Sequence, residues 1–519
     1  MSTRRRDLLR NVAGLAAWVA LPVGCGDDAA SGKEPQSSAL AASELAFLHG
    51  VSSGDPLPDA VILWTRITPH DESQAVELLW EVSTDSAFRE LVASGSITTD
   101  KDKDFTAKVD ATGLEAGALY YYRFRAGELS SAIGRTRTAK AGSVDRLRFG
   151  VASCSSYAHG YFHGYRSLSE RLDLDAIIHL GDYIYEYGSG EYGKVREYEP
   201  AHEILTLSDY RTRYAQYRRD ADLQAVHQQL PLIAVWDDHE VANNAWTDGA
   251  ENHTPGKEGD FSARKRAAFQ AYAEWMPMRE QQAGRCYRSF AFGDLVDLIM
   301  LDTRNSGRAM QLAKATDPAL ADPARTLLGH EQESWLGEQL QKSRAQWRVL
   351  GQQVMVSPFA LGLNLDSWEG YPAARSRLLQ QLSAADGDSV ILTGDVHSSW
   401  AMDVLDESGE SSIAVELVTP GITSPLLSRD DAERVEADVM NQAHVRYAQM
   451  WKRGYMIVDI DRERVQAAWF HYESVDKPDA VAPVFGAAAA AYSGERRVRM
   501  EPEPAPAAKI PGGPAPRLG

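Results

Sequence analysis

Cysteine is scarce in this chain, and the shortage excludes a disulfide framework. Three cysteines occur in 519 residues, and the first of them, Cys25, lies in a leader-like N-terminal segment. Only Cys154 and Cys286 remain for the body of the protein, which is too few to cross-link a chain of this size. A buried, inert thiol suits Cys286. Cys154 needs a separate explanation.

Positive charge is also in short supply. The chain has 54 Lys and Arg against 73 Asp and Glu, a formal net charge of −19. Nucleic acids and anionic lipid surfaces are bound through a basic footprint, which this composition lacks. We therefore expect no specific nucleic-acid binding, whereas an acidic chain suits the binding of cations.

Long uncharged runs are absent after the N-terminus. The run from Val12 to Val23 is shorter than the roughly 20 residues that span a bilayer, and Arg4 to Arg6 precede it. This order predicts a twin-arginine signal peptide and tether over residues 1–43, hence use of the twin-arginine export machinery and a periplasmic or extracellular location. No transmembrane span is expected after processing. Cleavage before Cys25 with lipid anchoring, and ordinary cleavage before Ser38, both remain open.

Residues 44–140 show a β pattern. Short β-rich runs, such as Ala60 to Trp64, Leu78 to Val82 and Tyr120 to Arg125, alternate with turn residues. Together with a leucine and a tyrosine around the turn from Gly113 to Tyr120, they predict a fibronectin-like β-sandwich.

Residues 141–484 change to strands that alternate with amphipathic helices, which predicts an α/β domain. The predicted buried strands are Leu147 to Ala152, Ala176 to Leu180, Leu232 to Trp236, Val296 to Leu301, Val349 to Val356 and Val390 to Leu392. The predicted helices run from Ser208, as the cap, to Gln228, from Ser262 to Trp275 and from His330 to Lys342, and a hairpin joins Tyr455 to Ile460 with Val465 to Phe470. Residues 485–519, rich in Ala and Pro, predict a disordered or loosely attached tail.

Polar residues cluster where four predicted strands end. These clusters are Ser153 to Ser155, Gly181 to Tyr185, Asp237 to Glu240 with Asn243 and Asn244 after it, and Gly394 to His397. Ligands of open α/β sheets bind at the carboxyl ends of the strands, and unpaired polar burial is costly. Together the clusters predict a metal centre.

The donor types indicate the chemistry. Carboxylate, amide and imidazole groups suit harder cations, whereas tyrosinate and thiolate favour a redox-capable metal such as Fe(III). A dinuclear site of mixed metals would use all of them and could promote in-line attack of a metal-activated hydroxide at phosphorus. His239, beside Asp238, is then placed to protonate the leaving alkoxide.

These residues carry a family resemblance. Phe47 to Pro56, Leu63 to Arg66, Gly181 to Tyr187, Trp236 to Asn244, Leu301 to Arg304 and Gly394 to His397 resemble, in order, the motifs of the PhoD-like alkaline phosphatases. The resemblance implies a calcineurin-like metallophosphoesterase fold, a four-layer α/β/β/α sandwich behind the N-terminal β-sandwich. It further implies an exported enzyme that hydrolyses phosphomonoesters, phosphodiesters or both.

The same resemblance implies Fe(III) and Ca(II) as cofactors. It assigns the iron to Cys154, Asp182, Tyr185 and His397, with Asp182 also facing the calcium, and completes the calcium side with Asp238, Asn243 and Asp395. It assigns substrate binding to His239 and Asn243, and catalysis to His239 and Asp238. The Asp302-Thr303-Arg304 element is interpreted mainly as structural support, with a weaker role for Arg304 near the phosphate.

Two other functions remain open. A phospholipase D-like metallohydrolase on the same scaffold would act on phospholipids, and a catalytically silent protein would only bind metal. The loops Ser189 to Leu207 and Asp248 to Gly259 are long and polar, as site-lining loops often are, and the substrate preference is expected to depend on them.

Overall fold

Three β-sheets frame the molecule in a computed structural model, which describes residues 47–280, 284–479 and 481–516. The predicted export signal, the tether and Cys25 lie outside the described residues. Within the described ranges, none of the helices has the length and apolar character that a bilayer crossing requires.

The largest sheet has ten strands. In spatial order they are Val498–Glu501 (β22), Val484–Tyr492 (β21), Arg464–Tyr472 (β20), Arg453–Asp461 (β19), Arg146–Ala152 (β9), Ala176–His179 (β10), Leu232–Ala234 (β11), Val51–Gly54 (β1), Ala60–Arg66 (β2) and Thr106–Thr112 (β5). Strands β9, β10 and β11 are parallel neighbours, while β19 and β20 form the predicted hairpin.

The second sheet has seven strands. Their order is Arg288–Phe292 (β12), Val296–Met300 (β13), Trp347–Gln352 (β14), Asp388–Thr393 (β15), Ser412–Val418 (β17), Ser399–Leu405 (β16) and Val445–Gln449 (β18). Strands β13, β14, β15 and β17 are parallel, whereas the outer strands are antiparallel.

The third sheet belongs to the N-terminal region. It contains Leu91–Thr99 (β4), Val76–Ser83 (β3), Leu119–Ala126 (β6), Leu129–Ser130 (β7) and Gly134–Arg137 (β8). It packs on β1, β2 and β5 through a core that includes Val61, Val82 and Tyr122. One face of this sandwich is therefore an extension of the ten-stranded sheet, because β1 pairs in parallel with β11.

Seven α-helices occur among the described residues: His163–Ser169 (α1), Leu207–Arg218 (α2), Ala221–Gln229 (α3), Phe261–Trp275 (α4), Gly329–Lys342 (α5), Pro372–Ala384 (α6) and Arg429–Met440 (α7). The central strands β14, β15 and β17 of the second sheet bury both faces. On β13 and β14, Met300 and Val349 face the core between the two large sheets, whereas Ile299 and Leu350 face the core under α5 and α6. The fold is thus the expected α/β/β/α sandwich.

The predicted helix from Ser208 to Gln228 is two helices. Thr206, not Ser208, caps α2 in a reciprocal capping box with Asp209. Helix α2 ends at Arg218. The Asp220 side chain then caps α3 by accepting hydrogen bonds from backbone N–H groups. An aspartate at a possible N-cap position inside the helical pattern was the overlooked signal.

The prediction of a disordered or loosely attached tail over residues 485–519 is wrong for the described part of this segment. Its alanine run forms most of β21, whose small side chains pair closely with β20, and Ala488 and Ala491 are buried. The following segment is held by side chains of other elements, as when Gln229 accepts a hydrogen bond from the Ala515 N–H and Tyr121 donates one to the Gly513 carbonyl. A low-complexity segment has no local pattern from which these tertiary contacts could be predicted.

Candidate metal centre

The candidate ligands lie where strands of the two large sheets end. Cys154 follows β9, Asp182 follows β10 and Asp237 follows β11 in the ten-stranded sheet. Asp395 and His397 follow β15 in the second sheet. The structure therefore brings polar side chains from both sheets to one place, between the carboxyl ends of their parallel strands.

Five residues of this region have a left-handed backbone. The φ angle is 58° at Cys154, 55° at Asp182, 52° at Asn244, 60° at Asp395 and 52° at His397. This conformation costs an L-residue roughly 1–2 kcal/mol. Because such strain persists only where the surroundings fix it, its concentration here points to a functional site.

The four residues assigned to iron by the resemblance are neighbours. One ligand atom each of Cys154, Asp182 and His397 lie within 4.8 Å of one another. The Tyr185 hydroxyl donates a hydrogen bond of 2.9 Å to Asp182 Oδ2 and lies 3.3 Å from His397 Nε2. The sulfur, carboxylate, phenol and imidazole groups thus surround one small volume.

The surroundings of the Cys154 thiol and the Tyr185 phenol disfavour their ionised forms unless a cation is present. Burial and the charge of Asp182 raise the pKa of the Cys154 thiol well above its ordinary value. Burial and the charge of Asp182 likewise raise the pKa of Tyr185. A thiolate and a phenolate at these positions therefore need a positive charge beside them, which a metal ion provides.

Carboxylates dominate the other side of the centre. Ligand atoms of Asp237, Asp238 and Asp395 form one close group, and those of Asp182, Asp238 and His239 form another. Asp182 Oδ1 and Asp237 Oδ2 are buried and have no hydrogen-bond partner among the described residues. Orphaned buried carboxylate oxygens fit hard cations, so the residues present fit a second metal. Asp237 was not among the predicted ligands, although it stands inside the motif.

Arg304 lies in the middle of these carboxylates. It is fully buried and donates hydrogen bonds to Asp237, Asp366 and Asp395, the last two at 2.7 Å. Asp238 Oδ1 lies 3.8 Å from the same guanidinium. The Arg304 guanidinium therefore binds carboxylates, which fits its main interpretation as structural support.

Two residues of this cluster were missed: Asp366, which binds Arg304, and Arg308, which binds Asp366. Asp366 Oδ1 accepts hydrogen bonds from Arg308 and, at 2.7 Å, from Gln311, while its Oδ2 binds Arg304. No pattern around Asp366 in the sequence distinguishes it from an ordinary loop residue. Only the folded chain brings it to the site.

His239 is held by a buried glutamate that sequence reasoning also missed. Its Nδ1 lies 2.6 Å from Glu186 Oε2. Burial alone would lower the pKa of His239, but the charges of Glu186, Asp238 and Asp182 raise it well above its ordinary value. The Tyr185 ring stacks on the imidazole at 4.1 Å between centroids. The contacts thus fix the orientation of the His239 imidazole, and the neighbouring carboxylates favour its protonated form.

Asn243 is positioned through its backbone. Its N–H donates to Glu186 Oε1 at 2.7 Å, and its carbonyl accepts a hydrogen bond from Asn252. Its half-buried side-chain amide makes no hydrogen bond among the described residues. The amide is therefore available for a cation or a phosphate oxygen.

Both loops expected to line the site reach it. Tyr192, from the loop Ser189 to Leu207, stacks on His239 with 6.3 Å between ring centroids. Asn252, from the loop Asp248 to Gly259, donates to Glu186 at 2.8 Å.

Comparisons with known proteins agree on one family. The model of the PhoD-like phosphatase family matches residues 149–469, and that of the PhoD-like phosphatase N-terminal domain matches residues 32–140. Alkaline phosphatase D of Bacillus subtilis (strain 168) is 37% identical over 477 residues, which cover 84% of this chain and 79% of the relative. A solved structure of PhoD is 36% identical with a TM-score of 0.81, and the match covers 92% of this chain and 95% of that one.

Proposed function

Because the chain belongs to the PhoD-like phosphatase family and is a phosphoric ester hydrolase, we propose that it is an exported, metal-dependent alkaline phosphatase and phosphodiesterase. The observation that carries the metal dependence is the pair of orphaned, buried oxygens on Asp182 and Asp237. They lie in a group of thiol, phenol, imidazole and carboxylate donors that has the composition of a mixed dinuclear centre.

The proposed division of ligands follows the two sides of the centre. Cys154, Tyr185 and His397 would hold Fe(III), whose preference for thiolate and phenolate they match, and Asp182 would contact both ions. The ligands proposed for Ca(II) are Asp238, Asn243 and Asp395, to which we add Asp237. Bound there, two metal ions would supply the Lewis acidity that polarises the phosphate and activates water as the nucleophile.

His239 is the proposed proton donor for the leaving group. Its Nδ1 is engaged by Glu186, so Nε2 is the nitrogen that can deliver a proton. The charge of Glu186 beside Nδ1 raises the pKa of His239 and so favours the protonated ring. Glu186 orients the imidazole, and the Asn243 amide, together with His239, is placed to bind a phosphate oxygen. We propose no direct phosphate contact for Arg304, because carboxylates surround it.

The proposed export rests on the N-terminal sequence. Arg4 to Arg6 and the uncharged run that follows would direct the protein to the twin-arginine machinery. A periplasmic or extracellular enzyme follows, with Cys25 as the position of a lipid anchor if cleavage occurs before it. N-terminal sequencing and mass determination of the exported protein would distinguish a lipidated Cys25 from cleavage at another residue.

Elemental analysis of the exported protein, purified without chelator, tests the proposal when it is combined with two substrates. These are p-nitrophenyl phosphate and its bis-ester at alkaline pH. We expect iron and calcium in the protein and turnover of at least one ester, and the ratio of the two rates gives the mono- or diesterase preference. Hydrolysis of phosphatidylcholine faster than either ester would favour a phospholipase D-like enzyme. Absence of metal and of turnover after reloading would contradict the proposal and leave a silent protein.

A further inference from the structure

Glu240 is a buried carboxylate at the metal centre with no cationic partner. It directly follows His239, and 1% of its surface is exposed. Among the described residues, no Lys, Arg or His forms an ion pair with it. Burying an isolated carboxylate is costly, so its presence requires compensation from the surroundings.

That compensation comes from backbone N–H groups of two strand ends. Glu240 Oε2 accepts hydrogen bonds from the Asp182 N–H at 3.1 Å and the Asp237 N–H at 2.8 Å. Its Oε1 accepts one from the Tyr183 N–H at 2.6 Å. A single carboxylate thus joins the backbone of two candidate metal ligands that come from different strands.

The two strand ends touch at this point. A Cβ atom added to Gly181 would lie 2.4 Å from the Asp237 Cβ and 2.5 Å from the Asp237 nitrogen, so only glycine fits. Gly181 has a φ of 106° and Asp182, the next residue, has a φ of 55°. The backbone that carries Asp182 is therefore strained and closely packed, and the Glu240 hydrogen bonds oppose its relaxation.

In the second sheet, neutral side chains hold the backbone of the strand end after β13 in a similar way. Gln353 Oε1 accepts hydrogen bonds from the N–H and the hydroxyl of Thr303, and Gln332 Oε1 accepts one from the Asp302 N–H. A glutamine is thus sufficient where one oxygen serves a single residue. At the junction of β10 and β11, three N–H donors from three residues need both oxygens of a carboxylate.

We infer that Glu240 is a positioning residue of the metal centre, which sets Asp182 and Asp237 in their ligand positions before a metal binds. It touches neither substrate nor metal and acts through the backbone of those two aspartates. This inference rests on the proposed metal dependence.

The test compares Glu240→Gln with a matched variant, Glu416→Gln. Glu416 is equally buried and forms no ion pair with another described residue. It accepts hydrogen bonds from the N–H groups of Val356 and Ser357 and from the Thr393 hydroxyl, none of which belongs to a candidate ligand. In Glu240→Gln, one amide N–H₂ must face a backbone N–H. The metal-free proteins are titrated with iron and with calcium against a competing chelator, and their melting temperatures are measured.

We expect both variants to lose thermal stability to a similar extent, but only Glu240→Gln to bind metal about 10- to 100-fold more weakly, the usual effect of an outer-shell change. Equal metal affinity of the two variants would overturn the inference. If Glu240→Gln does not fold, Glu240→Asp, which keeps both oxygens but shortens their reach, is titrated in its place against the same criterion. A wild-type enzyme that binds no metal would instead overturn the proposed function, and this inference with it.

Discussion

The two large sheets differ in how the charges of their carboxylates at the site are balanced. The ten-stranded sheet supplies closely spaced carboxylates, among them Asp182 and Asp237, each with a buried oxygen that has no partner among the described residues. The seven-stranded sheet supplies Arg304, whose guanidinium binds Asp237 across the site and Asp395 on its own side. One side of the site thus requires a cation, and the other brings one within the chain.

This difference explains how such an acidic centre can fold before metal arrives. Several carboxylates buried together repel one another, and a buried guanidinium offsets part of that repulsion. Arg304 binds Oδ1 of Asp237 and Oδ1 of Asp395, but Asp182 Oδ1 and Asp237 Oδ2 have no hydrogen-bond partner among the described residues. We infer that Arg304 stabilises the metal-free protein, whereas the free oxygens define where a metal binds. Changes on the two sides should therefore have different consequences.

Asp182→Ala should give the largest effect, because Asp182 belongs to two of the three ligand groups. Removal of its carboxylate takes a ligand from each proposed metal, and metal ions contribute several kcal/mol of transition-state stabilisation. We expect phosphatase activity to fall by about 10³-fold or more. Elemental analysis and steady-state kinetics with p-nitrophenyl phosphate measure both losses. Retention of iron and activity would exclude Asp182 as a shared ligand.

Arg304→Gln should act mainly on stability. The change leaves the buried Asp237 and the partly buried Asp395 without their cation, while Asp366 keeps Arg308 as a partner, and breaking such a cluster costs about 3–5 kcal/mol. Denaturant unfolding of the metal-free variant measures this loss. Added metal should recover part of it, since a cation neutralises some of the same carboxylates.

Arg148→Gln is the matched control for that experiment. Arg148 is also a buried arginine between two carboxylates, those of Asp173 and Asp459, but these lie near the opposite ends of the strands. We expect it to destabilise the protein, and added metal to stabilise it only as much as it stabilises the wild-type protein. Equal recovery in both variants would show that metal stabilises the fold irrespective of Arg304.

His239→Asn should lower turnover while leaving the fold and the metal content in place. Loss of a positioned general acid typically costs 10²- to 10⁴-fold, and the cost is greatest when the leaving group is a poor one. We therefore expect a large loss with an alkyl ester such as glycerol phosphate and a much smaller loss with p-nitrophenyl phosphate. A loss of equal size for both substrates would argue against proton donation by His239.

The sequence was sufficient for the layered fold and for most of the candidate ligands. Buried strands with apolar residues on both faces predicted the sheets, and strand-end motifs predicted Cys154, Asp182, Asp238 and His397, because local sequence determines where a strand ends. It was insufficient for residues whose role depends on distant contacts. Asp366 lies 62 residues from Arg304 in the sequence, and only the fold brings the two side chains together.

The wrong prediction for the C-terminal segment has the same cause, namely contacts with distant parts of the chain. An alanine run has weak strand propensity, and a proline-rich ending has few backbone donors, so local rules predict disorder. The run becomes β21 because β20 offers it an edge, and small side chains such as that of Ala489 fit the buried face. Tertiary pairing overrides propensity in this segment.

Tyr185→Phe should have the smallest effect on the fold and the most specific effect on the metal. The Tyr185 hydroxyl donates a hydrogen bond to Asp182 and accepts one from Ser424, and the loss of each costs about 1 kcal/mol. If the proposed Fe(III) binds the phenolate, the variant should lose the visible tyrosinate-to-iron absorption while it keeps much of its iron. Tyr183→Phe is the control, since the Tyr183 hydroxyl contacts His227 and no candidate ligand, so its absorption should persist. Unchanged colour in iron-loaded Tyr185→Phe would place the iron elsewhere. The thiolate and phenolate donors would then no longer support a mixed-metal centre.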